Sequence, residues 1–289
     1  MFTLENTLLK VMVNPTGAEL TSLFHKTPEL EYMWNGDPAF WGKHSPVLFP
    51  IVGTLKDNTF YYDGNPYHLG RHGFAREKQF AVEDNTADVI TFLLESNEET
   101  QALWPFPFTL RIRYSLFENA LAVLYEVTNT GKADMFFSLG AHPAFAMPLV
   151  PGTAYSDYYL AFDKIENAPR WPISKEGLIE EFSKPLLLNS DRLPLRKELF
   201  QQDALVMKDL NSTIISVRSE QTPHGLELDF AGFPFLGLWA AKAADFVCIE
   251  PWCGIADSVI SNQLIEEKEG INKLEPGGVF TRTWSVRVW

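Results

Sequence analysis

Cysteine is nearly absent: Cys248 and Cys253 are the only two in 289 residues. Their spacing is not C-x-x-C and no second ligand cluster accompanies them. They read first as two reduced structural thiols, with a redox pair or two metal ligands as the alternatives. Basic residues are also scarce. Lys and Arg number 24 against 37 Asp and Glu, giving a net charge of −13 and a pI near 4.9. Nucleic acid and anionic membrane surfaces both require a basic patch, so neither is expected as a partner. No stretch approaches the roughly 20 apolar residues that span a bilayer. The first residues, Met1–Asn6, lack a basic n-region and a long apolar h-region. No signal peptide is therefore expected, and the chain reads as soluble and cytoplasmic. Gly-x-Gly-x-x-Gly, a P-loop and His-Glu-x-x-His are missing too. Neither a nucleotide cofactor nor a metal is expected.

What is present is apolar and periodic. Hydrophobic residues make up 46% and aromatics 13% of the chain, enough to bury a sizeable core. The dominant period is two. Leu110, Ile112, Tyr114 and Leu116 alternate with Arg111, Arg113, Ser115 and Phe117, and Leu121, Val123, Tyr125 and Val127 share one face of the next run. Glu118-Asn119 joins the two as a hairpin. Further strands are expected at 8–13, 60–62, 79–83, 88–94, 134–139, 158–162, 213–218, 225–230, 235–239, 245–250 and 279–288. Helical signal is confined to Asp37–Trp41, Asn97–Leu103 and Ile255–Leu264. No linker and no repeat of 20–50 residues divides the chain. The expectation is one all-β domain over residues 1–289, a large sandwich rather than a propeller.

Three segments place a polar group at a rigid strand end. Glu250 follows the apolar run Phe246-Val247-Cys248-Ile249, and Pro251 is expected to stop that strand, leaving the carboxylate half out of water with a tunable pKa. His142 follows an apolar strand and precedes Pro143, which fixes the backbone beyond it. A partly desolvated imidazole there can give and take a proton near neutral pH. His72 precedes Gly73, which permits close approach, and Arg76 offers a planar fork of donors. His68 and Arg71 read as the ordinary polar face of a strand entering that loop. One carboxylate and two imidazoles are the parts of an acid–base site; each, taken alone, also fits a hydrogen-bonded structural group.

The segments HGFAR (72–76), GAHPAF (140–145) and IEPWCG (249–254) together resemble the aldose 1-epimerase, or galactose mutarotase, family and its shorter LacX-like branch. The stretches Ser45–Gly53 and Leu236–Trp239 fit as well, and the likeness runs in order along the whole chain. It implies a β-supersandwich of large antiparallel sheets around an open sugar-binding cleft. It implies that His142 is the acid that protonates the ring oxygen, and Glu250 the base that takes the anomeric hydroxyl proton. His72 and Arg76 would hold the sugar, with Trp239 or Trp252 as apolar surface for its C–H face. The implied ligand is a hexose, on a monomer or homodimer.

Two departures bear on the substrate. The longer galactose mutarotases carry an arginine in an Asn-Arg-Ile segment, where this chain reads Gly53-Thr54-Leu55-Lys56-Asp57-Asn58. Their sugar-binding aspartate has no unique counterpart here; Asp229 is one candidate, outside the site set. Two alternatives remain. A hexose-6-phosphate mutarotase would need a cationic cluster such as Lys56, Arg71 and Arg76. A non-catalytic sugar sensor would tolerate loss of the acid or base that this chain keeps.

Overall fold

The computed structural model describes residues 1–289. The hairpin at its centre shows why the chain folds as sheet. Strands Phe108–Phe117 and Ala120–Asn129 pair with Phe117 opposite Ala120. Glu118 takes the left-handed conformation, at φ +50, that so short a turn needs. The register sets Leu116 against Leu121, Tyr114 against Val123, Ile112 against Tyr125 and Leu110 against Val127. All eight are buried. Such cross-strand apolar pairs stabilise a sheet, and each fully buried side chain contributes about 1.5–3 kcal/mol.

That hairpin lies inside a nine-stranded antiparallel sheet. In spatial order its strands are Ser190–Pro194, Tyr158–Glu166, Ile214–Ser219, Leu226–Asp229, Val279–Val288, Ala120–Asn129, Phe108–Phe117, Val89–Glu95 and Ala81–Asn85. A second sheet runs Leu139–Gly140, Phe246–Cys253, Phe235–Trp239, Leu205–Lys208, with Ala144–Ala146 also paired to Phe246–Cys253. A four-stranded sheet over Phe2–Glu31 completes the wrap. A core cluster of 72 buried residues extends from Leu4 to Val288. A separate group that includes Val206, Phe235, Ala204 and Trp252 packs on the second sheet.

The architecture is the expected all-β supersandwich. Strands at 235–239 and 279–288 fall where the pattern sets them. Asn97 caps a single helix, Glu98–Leu103, through a reciprocal capping box with Thr100. Asp37–Trp41 makes one turn. Ile255–Leu264 is not helical: bridges from Ser258 to Ile179 and from Leu264 to Tyr61 hold it extended, and only Ile265–Glu267 coils, as a 3-10 turn. Strands Phe2–Glu5, Glu19–His25 and Leu205–Lys208 add to those legible by alternation.

Candidate active site

Glu250 is not at a strand end. Strand Phe246–Cys253 continues through Pro251 and is buried along its whole length, with Glu250 only 1% exposed. The proline removes one bond rather than the strand. Ala141 N donates to the Pro251 carbonyl at 3.0 Å, and the reciprocal bond cannot form because Pro251 has no N–H. The neighbouring chain breaks at that point into Leu139–Gly140 and Ala144–Ala146, both paired to Phe246–Cys253. His142 occupies the gap. Its Nε2 lies 3.2 Å from Glu250 Oε2.

Side chains at 248, 250 and 252 share one face of this strand. Glycines on the flanking strands make room for the Trp252 indole. A Cβ on Gly237 would lie 2.5 Å from the ring, and one on Gly140 would lie 2.7 Å from it.

His72 arrives from a loop, in the left-handed conformation at φ +69. Two backbone bonds hold it there: His72 N donates to Gly53 O at 2.8 Å, and Gly53 N donates to His72 Nδ1 at 3.1 Å. Arg71 Nε donates to the other ring nitrogen, Nε2, at 3.3 Å, so both nitrogens of His72 face donors. The ring meets His142 edge to face, with centroids 5.8 Å apart.

His72, Arg76, His142, Trp239 and Glu250 all line one cavity of about 280 Å³, so the structure brings every residue of the expected site together. It adds Trp41, Asp203 and Ala204, which sequence reading did not include, and Arg71, which entered it only as part of a phosphate-binding cluster. Trp41 stacks on His142, centroids 5.0 Å apart and planes at 26°, while Trp239 meets the same imidazole edge-on at 5.6 Å. Arg71 Nη1 and Nη2 donate to the two carboxylate oxygens of Asp203, each at 3.2 Å. Arg76 Nη2 donates to the Arg71 carbonyl at 3.1 Å. Lys56 lies apart from the cavity, its Nζ on the Ser261 carbonyl. Asp229 sits in the nine-stranded sheet, capping the turn at Ala231.

Burial sets the electrostatics. It pushes Glu250 well above the usual carboxylate range, against the opposing pull of Arg71. It depresses His142 to about 3. His72 is lowered by burial first, then by His142, Arg71 and Arg76. Each group favours its neutral form because burial removes the water that would solvate its charge. Buried Glu250 Oε1, His142 Nδ1 and Trp252 Nε1 have no hydrogen-bond partner. All three residues line the cavity, and a ligand rich in hydroxyls offers partners for such atoms.

Both cysteines are free and buried. Cys248 brings its sulfur within 4.8 Å of donor atoms of His142 and Glu250, the one grouping able to hold a metal ion. Burial holds the Cys248 thiol well above its ordinary pKa, so it presents S–H rather than the thiolate a metal binds.

Comparison with known proteins agrees with this geometry. The family model described as aldose 1-epimerase matches residues 1–263. Protein LacX (chromosomal) of Lactococcus lactis subsp. lactis is 33% identical over 99% of this chain and 98% of that protein. The crystal structure of a galactose mutarotase related enzyme from Lactobacillus acidophilus superimposes with a TM-score of 0.95 at 36% identity, covering 100% of this chain and 97% of that one. A Salmonella typhimurium protein whose name provisionally makes it a glucose-6-phosphate 1-epimerase is 28% identical over 45% of this chain and 42% of its own. With fold, cleft and full-length similarity in agreement, the chain belongs to the aldose 1-epimerase family, isomerases that act on sugars.

Proposed function

We propose that the protein is a mutarotase that interconverts the α and β anomers of a free hexose, with His142 as acid and Glu250 as base. The observation that carries this is the 3.2 Å separation of His142 Nε2 and Glu250 Oε2 in a buried, polar cleft. Mutarotation moves protons at two oxygens, O1 and O5, that hang from one carbon. An acid and a base must therefore meet within about one atom's width, and this pair does.

The proton account closes on the pair. Ionised Glu250 takes the O1 proton as protonated His142 gives its proton to O5, and the C1–O5 bond breaks to leave an open-chain aldehyde. The pair is then neutral. Rotation about C1–C2 presents the other aldehyde face. On reclosure Glu250 returns its proton to O1 and His142 recovers one from O5. The ion-paired and neutral forms hold the same number of protons, so no exchange with water is needed. Burial, which disfavours both charges, makes the neutral pair the resting form, and the ion pair that starts the cycle forms from it by passing the Glu250 proton to His142 across 3.2 Å. A positioned acid or base supplies about 10²–10⁴ in rate, enough for a reaction that already proceeds in water.

The other groups bind. His72, held by Gly53 at Nδ1 and by Arg71 at Nε2, helps hold the substrate at the ring oxygen. Arg76 and the Arg71–Asp203 pair offer donors and acceptors for hydroxyls, and Trp239 and Trp41 give apolar walls for the C–H face. Hydrolysis is a poorer reading, because it requires two carboxylates across the scissile bond and Asp203 is tied to Arg71.

Polarimetry of freshly dissolved α-D-glucose and α-D-galactose tests the proposal. Equilibration should accelerate with wild type and fall by about 10²–10⁴ for His142→Asn and for Glu250→Gln. Near wild-type turnover in either folded variant removes that residue from its role. Tight sugar binding with no turnover would favour the sensor reading.

A further inference from the structure

An imidazole that gives up a proton must be aimed, and the usual device is a hydrogen bond on its other nitrogen. His142 lacks one. Its Nδ1 bonds to no other residue, and the ring's one ion-pair partner is Glu250, at Nε2. Packing aims the ring instead. Trp41 covers it face to face, with centroids 5.0 Å apart and planes at 26°. Trp239 and His72 meet it edge-on, at 5.6 and 5.8 Å.

Trp239 belongs to the strand beside Glu250, but Trp41 comes from a strap, residues 35–43, outside both large sheets. The two ends of the strap are bonded to a single residue. Trp34 N donates to the Ala144 carbonyl, and Ala144 N donates to the His44 carbonyl, each at 2.9 Å. Ala144 lies two residues beyond His142, so the strap is anchored on the segment that carries the acid. Within it Asp37 makes the turn, accepting from Ala39 N at Oδ1 and from Phe40 N and Trp41 N at its carbonyl. The Trp34 indole N–H donates to the Trp41 carbonyl at 2.9 Å, and both indoles pack on Phe246. A cleft wall needs only apolar surface; these bonds set one indole over one particular ring.

The stack also bears on charge. Burial above all, then Arg71 and Arg76, oppose a positive charge on His142, with Asp203 in its favour. A cation within about 6 Å of an indole face is attracted by the ring quadrupole, more strongly where water is excluded, and indole holds it better than phenyl. The imidazolium that starts the cycle gains this attraction, and the neutral imidazole does not. We propose that Trp41 is a positioning residue for the acid: its indole fixes the His142 ring with Nε2 on Glu250 and steadies the imidazolium of the reacting ion pair. The inference rests on the mutarotase reading above and gives Trp41, beyond its wall for the sugar, a part played through His142.

The test compares wild type with Trp41→Phe, Trp41→Leu and Trp34→Phe, each first shown to unfold at a temperature near wild type. Anomer exchange of glucose is followed by NMR, with kcat and KM resolved. Trp41→Leu should lose at least about tenfold in kcat and Trp41→Phe about threefold or less, with KM moving less than kcat in both. Trp34→Phe should lower kcat in the same sense and by less, which lost sugar contact cannot explain because Trp34 does not line the cavity. The ring nitrogens of His142, assigned in isotope-labelled protein against the His142→Asn spectrum, should give sharp signals in wild type. In Trp41→Leu, with no sugar present, they should shift and broaden. A wild-type kcat in Trp41→Leu, a loss confined to KM, or unchanged His142 signals overturns the proposal. Failure of wild type on every sugar would instead overturn the mutarotase reading, and the nitrogen signals would still decide whether Trp41 orients His142.

Discussion

Glu250 is where chemistry and stability conflict. Its folded pKa is raised well above the ordinary 4.5 by burial, so the folded chain binds this proton more tightly than the unfolded chain does. Such a group is neutral to stability below its unfolded pKa and costs stability as pH climbs from there toward the folded value. Glutamine keeps the shape and has no proton to lose. Glu250→Gln should therefore be more stable than wild type at pH ~8, and the gap should close toward pH ~4. Urea unfolding at the two pH values checks this, and a destabilised variant at pH ~8 would mean that the carboxylate is stabilised by the fold rather than merely tolerated. Sequence reading reached Glu250 through its apolar run and its IEPWCG frame. It misjudged the surroundings, because proline was taken to end a strand that in fact loses only a single hydrogen bond. Asp203 and Trp41 lay outside reach for another reason. Each joins the cleft across a large sequence separation, in a turn whose local pattern resembles many others.

Among the elements, the second sheet and its flanking loops fix the site, and one buried ion pair ties them together. Lys268 Nζ and Asp257 Oδ1 are 2.7 Å apart, and each side chain is 3% exposed. The other Asp257 oxygen accepts from Lys56 N at 2.9 Å, and Asp257 N donates to the Thr54 carbonyl. The pair thus clamps segment 54–56, next to Gly53, whose N–H and carbonyl hold His72. Truncating one partner leaves an uncompensated buried charge and should cost about 3–5 kcal/mol, whereas Asp257→Leu with Lys268→Met should restore much of that stability. Urea midpoints check the difference. If the double variant is as unstable as the single ones, the backbone bonds of Asp257 matter more than the charge pair. None of this was legible beforehand. Period-two alternation revealed the hairpin at 108–129 because both faces repeat over ten residues, but the Ile255–Leu264 stretch folds by long-range bridges and so read wrongly as a helix.

At the scale of the whole molecule, the balance of charge and the cleft point the same way. The net charge is −13, which repels an anionic substrate at a distance and leaves a neutral sugar unaffected. Between ~0.01 and ~0.15 M salt the screening length falls from about 30 to about 8 Å, so long-range repulsion fades over that interval. For glucose, kcat/KM should stay flat across it, since neither encounter nor proton transfer within a buried pair senses the ionic atmosphere. For glucose 6-phosphate any residual turnover should rise with salt. Progress curves for both sugars at the two salt levels decide the matter. A phosphosugar rate that falls with salt would reveal a local cationic funnel at the cleft, stronger than the overall charge and contrary to the pairing of Arg71 with Asp203. A glucose rate that depends steeply on salt would show that the surface ion pairs, rather than the buried carboxyl and imidazole, set the geometry of the reacting groups.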